Sequence, residues 1–175
     1  MNDFPRVTPA PDDSHPLVDI RLGELRVAEY PQRLTTAALG SCVGVALYDP
    51  FDRRGGLAHI MLPTPSSKAA LNGTQLGRFA DWAIPELARQ LVQRGSSRRR
   101  LQAKIAGGAA MFRTEGSATV SIGERNIAEV KKQLALMSIP LIAEDTGEGH
   151  ARTVELVLDT GEFIVRSCQF GTRRL

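Results

Sequence analysis

Cys42 and His59 are the residues of this chain whose types and spacing point to covalent chemistry. A thiol attacks as its thiolate, and an imidazole within reach can take its proton and keep it for a leaving group. Cys42 follows Gly40-Ser41, a turn that can present a thiol at the edge of the apolar run Val43 to Tyr48. His59 sits inside a second apolar run, Gly56-Leu57-Ala58-His59-Ile60-Met61-Leu62. A histidine buried there must find a polar partner or bear its desolvation. Taken singly, each has a plain reading: a satisfied core histidine, and a cysteine acting as a small buried hydrophobe. The pairing changes this. The polar turn Asp49 to Arg54 joins the two runs, so they are expected side by side, with His59 across from Cys42 and its imidazole lowering the thiol pKa. Ser41 either supports this pair by hydrogen bonding or only fills the tight turn.

The remaining candidates carry less. His15 lies in a proline-rich arm and is expected to be inert; His150, after Gly147-Glu148-Gly149, is expected at the surface of a loop. No ligand spacing of the C-x-x-C or H-E-x-x-H kind occurs, so neither a metal nor another cofactor is expected. Gly107-Gly108 and Gly147-Glu148-Gly149 lack the Lys-Ser/Thr of a phosphate loop and are taken as turns. Cys42 and Cys168 are expected to be free thiols, Cys168 in a packing role. A redox sensor using both is a distant alternative.

The elements that must position the pair follow from periodicity. Residues 1–16, with Pro5, Pro9, Pro11 and Pro16, form an expected disordered arm. Residues 17–168 form the domain, and 169–175 a tail. Val18, Ile20, Leu22, Leu25 and Val27 alternate with polar residues as strand, broken by a turn at Gly23-Glu24. Residues 64–74 form a loop. Gln75 to Arg94 has helical spacing interrupted by Pro85, which is expected to kink or divide the helix. Ala103 to Ala106 is a strand, Asn126 to Met137 a second helix, and Leu141 to Ala143, Thr153 to Leu158 and Phe163 to Val165 complete the strands. The expected fold is α/β (mixed α+β), a layered sandwich of mixed β-sheets flanked by helices in a single domain.

Composition narrows the class further. The 175 residues are 42% hydrophobic and 23% charged, ordinary for one globular domain. The net charge of +3 is mild. Its excess rests on Arg98-Arg99-Arg100 and Arg173-Arg174, a solvated run without aromatic interleaving, so no nucleic-acid binding is expected. No apolar stretch reaches the roughly 20 residues of a bilayer span, and the N-terminus lacks a secretory h-region. No membrane insertion and a cytoplasmic location are therefore expected.

Several short blocks, taken together, resemble the chemoreceptor glutamine deamidase family, CheD. They run from Leu39-Gly40-Ser41-Cys42-Val43 through Leu47-Tyr48-Asp49-Pro50 to Gly55-Gly56-Leu57-Ala58-His59-Ile60-Met61-Leu62-Pro63. Lys104 to Phe112, Ile122-Gly123-Glu124-Arg125-Asn126, Ile139-Pro140, Glu144 to Gly147 and Gly149 to Val154 follow in the family's order. The resemblance implies a layered α/β fold and hydrolysis of glutamine side-chain amides on methyl-accepting chemotaxis receptors. It also implies a cysteine–histidine–threonine site. Cys42 would be its nucleophile, His59 its base, and Thr36, six positions before the cysteine, the third member, with Thr35 beside it as an alternative. The stretch Gly147-Glu148-Gly149-His150-Ala151-Arg152 departs from the family's pattern. Thiolate chemistry would equally cleave a glutamate methyl ester, and the loop 64–74 is the candidate flap over a receptor helix. The competing expectation is a regulatory module that docks on a CheC-like chemotaxis phosphatase.

Overall fold

The computed structural model describes residues 15–66, 76–110 and 120–175. The arm before His15, most of the loop 64–74 and the stretch 114–119 lie outside those residues. The described residues form two five-stranded mixed sheets and two α-helices. The outer sheet has the order β1-β3-β8-β9-β10, from β1 (Leu17–Asp19), β3 (Arg33–Leu39), β8 (Arg152–Val157), β9 (Phe163–Ser167) and β10 (Gly171–Arg174). The inner sheet has the order β2-β5-β4-β6-β7, from β2 (Leu25–Glu29), β5 (Arg54–Ile60), β4 (Val43–Asp49), β6 (Gln102–Gly107) and β7 (Leu141–Thr146). Pairings are antiparallel except β1 with β3 and β6 with β7. This is the expected mixed α/β layered sandwich in a single domain.

Two cores explain the layering. Val43, Val45 and Leu47 of β4 join Ala58 and Ile60 of β5 and the helices in one cluster. Ala46 and Tyr48 of β4 join Leu57, Leu34, Val154, Leu156 and Phe163 in the other. The alternation of a strand thus sends one set of side chains to the helices and the other between the sheets. β4 is buried at every position, which is why it reads as an unbroken apolar run.

Helix α1 (Ala80–Gln93) lays Ala80, Ala83, Ile84, Leu87, Ala88 and Leu91 on the inner sheet. Pro85 lies inside it and does not divide it. The break comes earlier, at Phe79, where a single 3-10 turn over Leu76–Arg78 ends. In the second turn of a helix, proline forfeits one backbone bond, here to the Asp81 carbonyl, and the buried stripe outweighs it. Helix α2 (Ile122–Leu136) starts four residues before the expected Asn126. Ser121 caps it: its hydroxyl accepts from the Glu124 N–H while the Glu124 carboxylate accepts from the Ser121 N–H. That S-x-x-E box is visible in the sequence.

β10 is a strand where the sequence reads as a tail; all of its residues are exposed, so no apolar alternation announces it. The basic run is exposed at Arg98 and Arg99, as expected, and partly covered at Arg100. Arg100 forks onto the buried Asp49 carboxylate at 2.8–3.1 Å and reaches Asp52 at 2.6 Å. Arg98 donates to the Met137 carbonyl.

Candidate active site

The chain crosses from the outer to the inner sheet between β3 and β4, and Cys42 stands at that crossing. The pairing of β3 with β8 shifts register between Thr36 and Leu39, and Ala38 has φ of 58°. Such a bulge bends the strand out of its sheet and toward the Gly40-Ser41-Cys42 turn. β4 and β5 form the expected hairpin, in which Gly44 lies directly opposite His59. Cys42, two residues before Gly44, shares the face that looks into the gap between the sheets, and its side chain packs on that core. Cys42 and His59 are therefore diagonal neighbours, a spacing an imidazole can bridge. The absence of a side chain at Gly44 leaves the gap open: a Cβ there would come within 2.9 Å of Leu39 Cδ1 and 3.2 Å of Val154 Cγ2.

Thr36 meets His59 from the opposite sheet. Its Oγ1 lies 2.7 Å from His59 Nδ1 and 2.6 Å from the Ile20 carbonyl oxygen. The carbonyl can only accept, so the Thr36 hydroxyl proton points to Ile20. Oγ1 must then accept from a proton on Nδ1. His59 is thereby fixed as the Nδ1–H tautomer, with an unprotonated Nε2. That Nε2 is buried and has no hydrogen-bond partner among the described residues. Of the two adjacent threonines it is Thr36 that touches the histidine. Thr35 points to the other face and donates to the Val154 carbonyl at 2.8 Å.

Electrostatics correct one expectation. The Cys42 thiol is half-buried, and burial raises its pKa above the ordinary value rather than lowering it. Burial pushes the His59 imidazole down, opposed in part by the carboxylate of Asp19. Both effects favour the uncharged forms, so the resting pair is thiol and neutral imidazole rather than thiolate and imidazolium.

The turn itself is held from behind. The Gly108 N–H donates to the Cys42 carbonyl at 2.7 Å and the Ala109 N–H to the Gly40 carbonyl at 2.8 Å. Gly107 has φ of 106°, and a Cβ on it would lie 2.3 Å from the Cys42 carbonyl oxygen, so only glycine fits. The Ser41 and Cys42 backbone N–H groups donate to no acceptor among the described residues. Ser41 contributes its carbonyl oxygen, which accepts from Asn126 Nδ2 at 2.9 Å.

Other sequence candidates fall elsewhere. His150 is buried, not at a surface; its Nδ1 is 3.2 Å from Glu148 Oε2 and its ring packs on Phe170 at 4.5 Å. The loop Gly147 to His150 folds back onto Arg152, which donates to the Gly147 and His150 carbonyls and to Asp145. Cys168 is exposed, so it does not pack as expected. His15 packs edge-on against Tyr30 at 5.5 Å.

Residues 61–167 match the family model described as CheD chemotactic sensory transduction. The probable chemoreceptor glutamine deamidase CheD of Moorella thermoacetica is 47% identical over 153 residues, covering 86% of this chain and 90% of that protein. This chain belongs to the CheD family. The CheD of Clostridium novyi, described as a probable chemoreceptor glutamine deamidase, is 42% identical over 160 residues, 90% of this chain and 98% of its own. That of Thermotoga maritima, described as a chemoreceptor glutamine deamidase, is 43% identical over 152 residues, 87% of this chain and 92% of its own. The family-model match begins beyond His59, but CheD alignments of this coverage span residues 36 to 59 wherever they begin.

Proposed function

We propose that this chain is a chemoreceptor glutamine deamidase in which Cys42 is the nucleophile, His59 the base and Thr36 the residue that orients the imidazole. The observation that carries the reading is the hydrogen-bonded line from the Ile20 carbonyl through Thr36 to His59, which leaves an unpartnered Nε2 on the face that Cys42 shares. The substrate is a primary carboxamide on a protein, a receptor glutamine, as the relatives' names indicate.

Because the resting pair is neutral, proton transfer accompanies attack. Nε2 takes the thiol proton as Sγ bonds to the amide carbon, and charge develops on the carbonyl oxygen. The N–H groups of Ser41 and Cys42, which donate to no acceptor among the described residues, are the donors available to that oxygen. The Nε2 proton then passes to the nitrogen, ammonia leaves, and a thioester remains. Water enters, gives a proton to Nε2 and attacks the thioester; the departing sulfur recovers that proton, and the side chain is glutamate. Thr36 stabilises the imidazolium formed in each half-reaction by accepting from Nδ1–H. A glutamate methyl ester fits the same sequence of steps, with methanol leaving in place of ammonia. No helix among the described residues is long and apolar enough to cross a membrane.

The test is peptide mass spectrometry of a receptor cytoplasmic fragment after incubation with the wild-type protein and with Cys42→Ala. Conversion of defined glutamines to glutamate by the wild type, absent with the variant, is expected. Conversion by both proteins would remove Cys42 as nucleophile. Conversion by neither would favour docking on a CheC-like phosphatase as the main role.

A further inference from the structure

Asn126 is fully buried on helix α2, and both of its amide hydrogens are committed. Nδ2 donates to the Ser41 carbonyl and to the Met61 carbonyl, each at 2.9 Å. Ser41 immediately precedes Cys42, and Met61 lies two residues beyond His59. One side chain thus ties together the two backbone segments that carry the proposed nucleophile and base. Its Oδ1 is buried without a partner among the described residues. An orphaned acceptor costs about 1–3 kcal/mol, which a residue serving packing alone would avoid by being apolar.

The bond to Ser41 has a directional effect. In a trans peptide the C=O and the following N–H point in opposite directions across one rigid plane. Holding the Ser41 oxygen therefore aims the Cys42 N–H away from α2. The next plane is held as well, because the Gly108 N–H takes the Cys42 carbonyl. With both planes fixed, the Cys42 N–H is a preoriented donor, which is what stabilising an oxyanion requires.

We propose that Asn126 is a positioning residue of the deamidation site: it locks the Ser41–Cys42 peptide to the strand end beyond His59 and so aims the Cys42 N–H at the oxyanion of the tetrahedral intermediate. The inference rests on Cys42 being the nucleophile of the reading above.

Two reactions of the same thiol separate this role from a merely structural one. Alkylation by iodoacetamide is a displacement at a saturated carbon and develops no oxyanion; deamidation does. In Asn126→Leu, kcat for receptor-fragment deamidation is expected to fall about 100-fold, the scale of losing one oxyanion donor, with KM unchanged. Alkylation of Cys42 should stay within a few-fold of wild type. Asn126→Ser, small enough to admit a bridging water, should recover part of kcat, and it serves as the test variant if the leucine protein does not fold. Parallel loss of alkylation and deamidation, or wild-type kcat in both variants, would overturn the proposal. Cys42→Ala is assayed alongside: if it still deamidates, the nucleophile assignment fails, whereas an inactive Cys42→Ala beside fully active Asn126 variants sinks the positioning role alone.

Discussion

Thr36→Val keeps the shape of the side chain and removes the oxygen that accepts from His59 Nδ1. The imidazole then loses its fixed tautomer and the partner of its protonated form. We expect kcat to fall by about 100-fold or more, the contribution typical of a correctly held acid–base group, while Thr36→Ser retains most of it. Steady-state kinetics on a receptor fragment decide the matter, and equal activity of the valine and serine variants would refute it. The pH dependence follows from the directions of the two shifts. As the proposed base, His59 must be neutral to take the thiol proton, and burial lowers its pKa from the ordinary 6.5. Activity should therefore persist below pH 6.5 and be lost only as the pH falls through the lowered value. The thiol must carry a proton for ammonia to receive, and its pKa lies above the ordinary 9.0. The alkaline limb should thus begin above pH 9. A kcat/KM profile with its acid limb above 6.5 would contradict the neutral pair. At this scale the sequence was partly legible. The hairpin spacing of Cys42 and His59 could be read directly, but the choice of Thr36 over Thr35 came from resemblance. Adjacent residues on a strand face opposite ways, and no local feature says which face will meet the histidine. The raised thiol pKa was also hidden, because it depends on burial from the opposite sheet.

Helix α2 brings Asn126 to the Gly40-Ser41-Cys42 turn, and its position depends on its first turn. Ser121 and Glu124 satisfy each other's backbone N–H groups there. Ser121→Ala should cost about 1 kcal/mol in urea unfolding; a change under a few tenths would mean that packing alone fixes the start. Gly123 then lies so close to the Gly107-Gly108 turn that a Cβ on it would meet the Gly108 carbonyl oxygen at 2.4 Å. A second anchor lies across the turn. The side chain of Arg152 is 1% exposed, bonded to Asp145 and to two carbonyls of the Gly147–His150 loop. Arg152→Met should destabilise by about 1–3 kcal/mol, since it takes the donor from the Gly147 and His150 carbonyls and leaves Asp145 only Arg173, at 2.9 Å, as an ion partner; the urea midpoint measures it, and a loss below 1 kcal/mol would argue against that anchor. Arg152 and Asn126 were not readable as structural anchors. In sequence, a polar residue on an amphipathic helix or at a strand start looks like solvent-facing polarity. Pro85 misled for a related reason: its local penalty is small beside the apolar stripe that continues through it.

The two sheets share the site between them, with Thr36 on one and Cys42 and His59 on the other. Two cavities of similar size should therefore have different effects. Leu156→Ala opens the core between the sheets, whereas Leu87→Ala opens the core between helix α1 and the inner sheet. Each is expected to cost about 2–5 kcal/mol, but only Leu156→Ala should lower kcat, because only that core sets the approach of Thr36 to His59. Equal kcat in the two variants under folding conditions would show that sheet spacing does not govern the site. The layered class could be anticipated from alternating strands and two apolar helix faces. The partition could not: β1 and β2 follow one another in the chain yet belong to different sheets. Non-local pairing of this kind is fixed by which faces meet, and a one-dimensional pattern carries no record of it.

The line that orients His59 ends on the main chain, at the Ile20 carbonyl. An alanine scan is blind to such a terminus, since every substituted residue 20 still supplies a carbonyl. Lineages could exchange one apolar side chain for another at this position without disturbing the proton's path. Only chemistry on the backbone would expose it: an α-hydroxy acid in place of Arg21 turns the acceptor into a weaker ester carbonyl, a change that no codon can make.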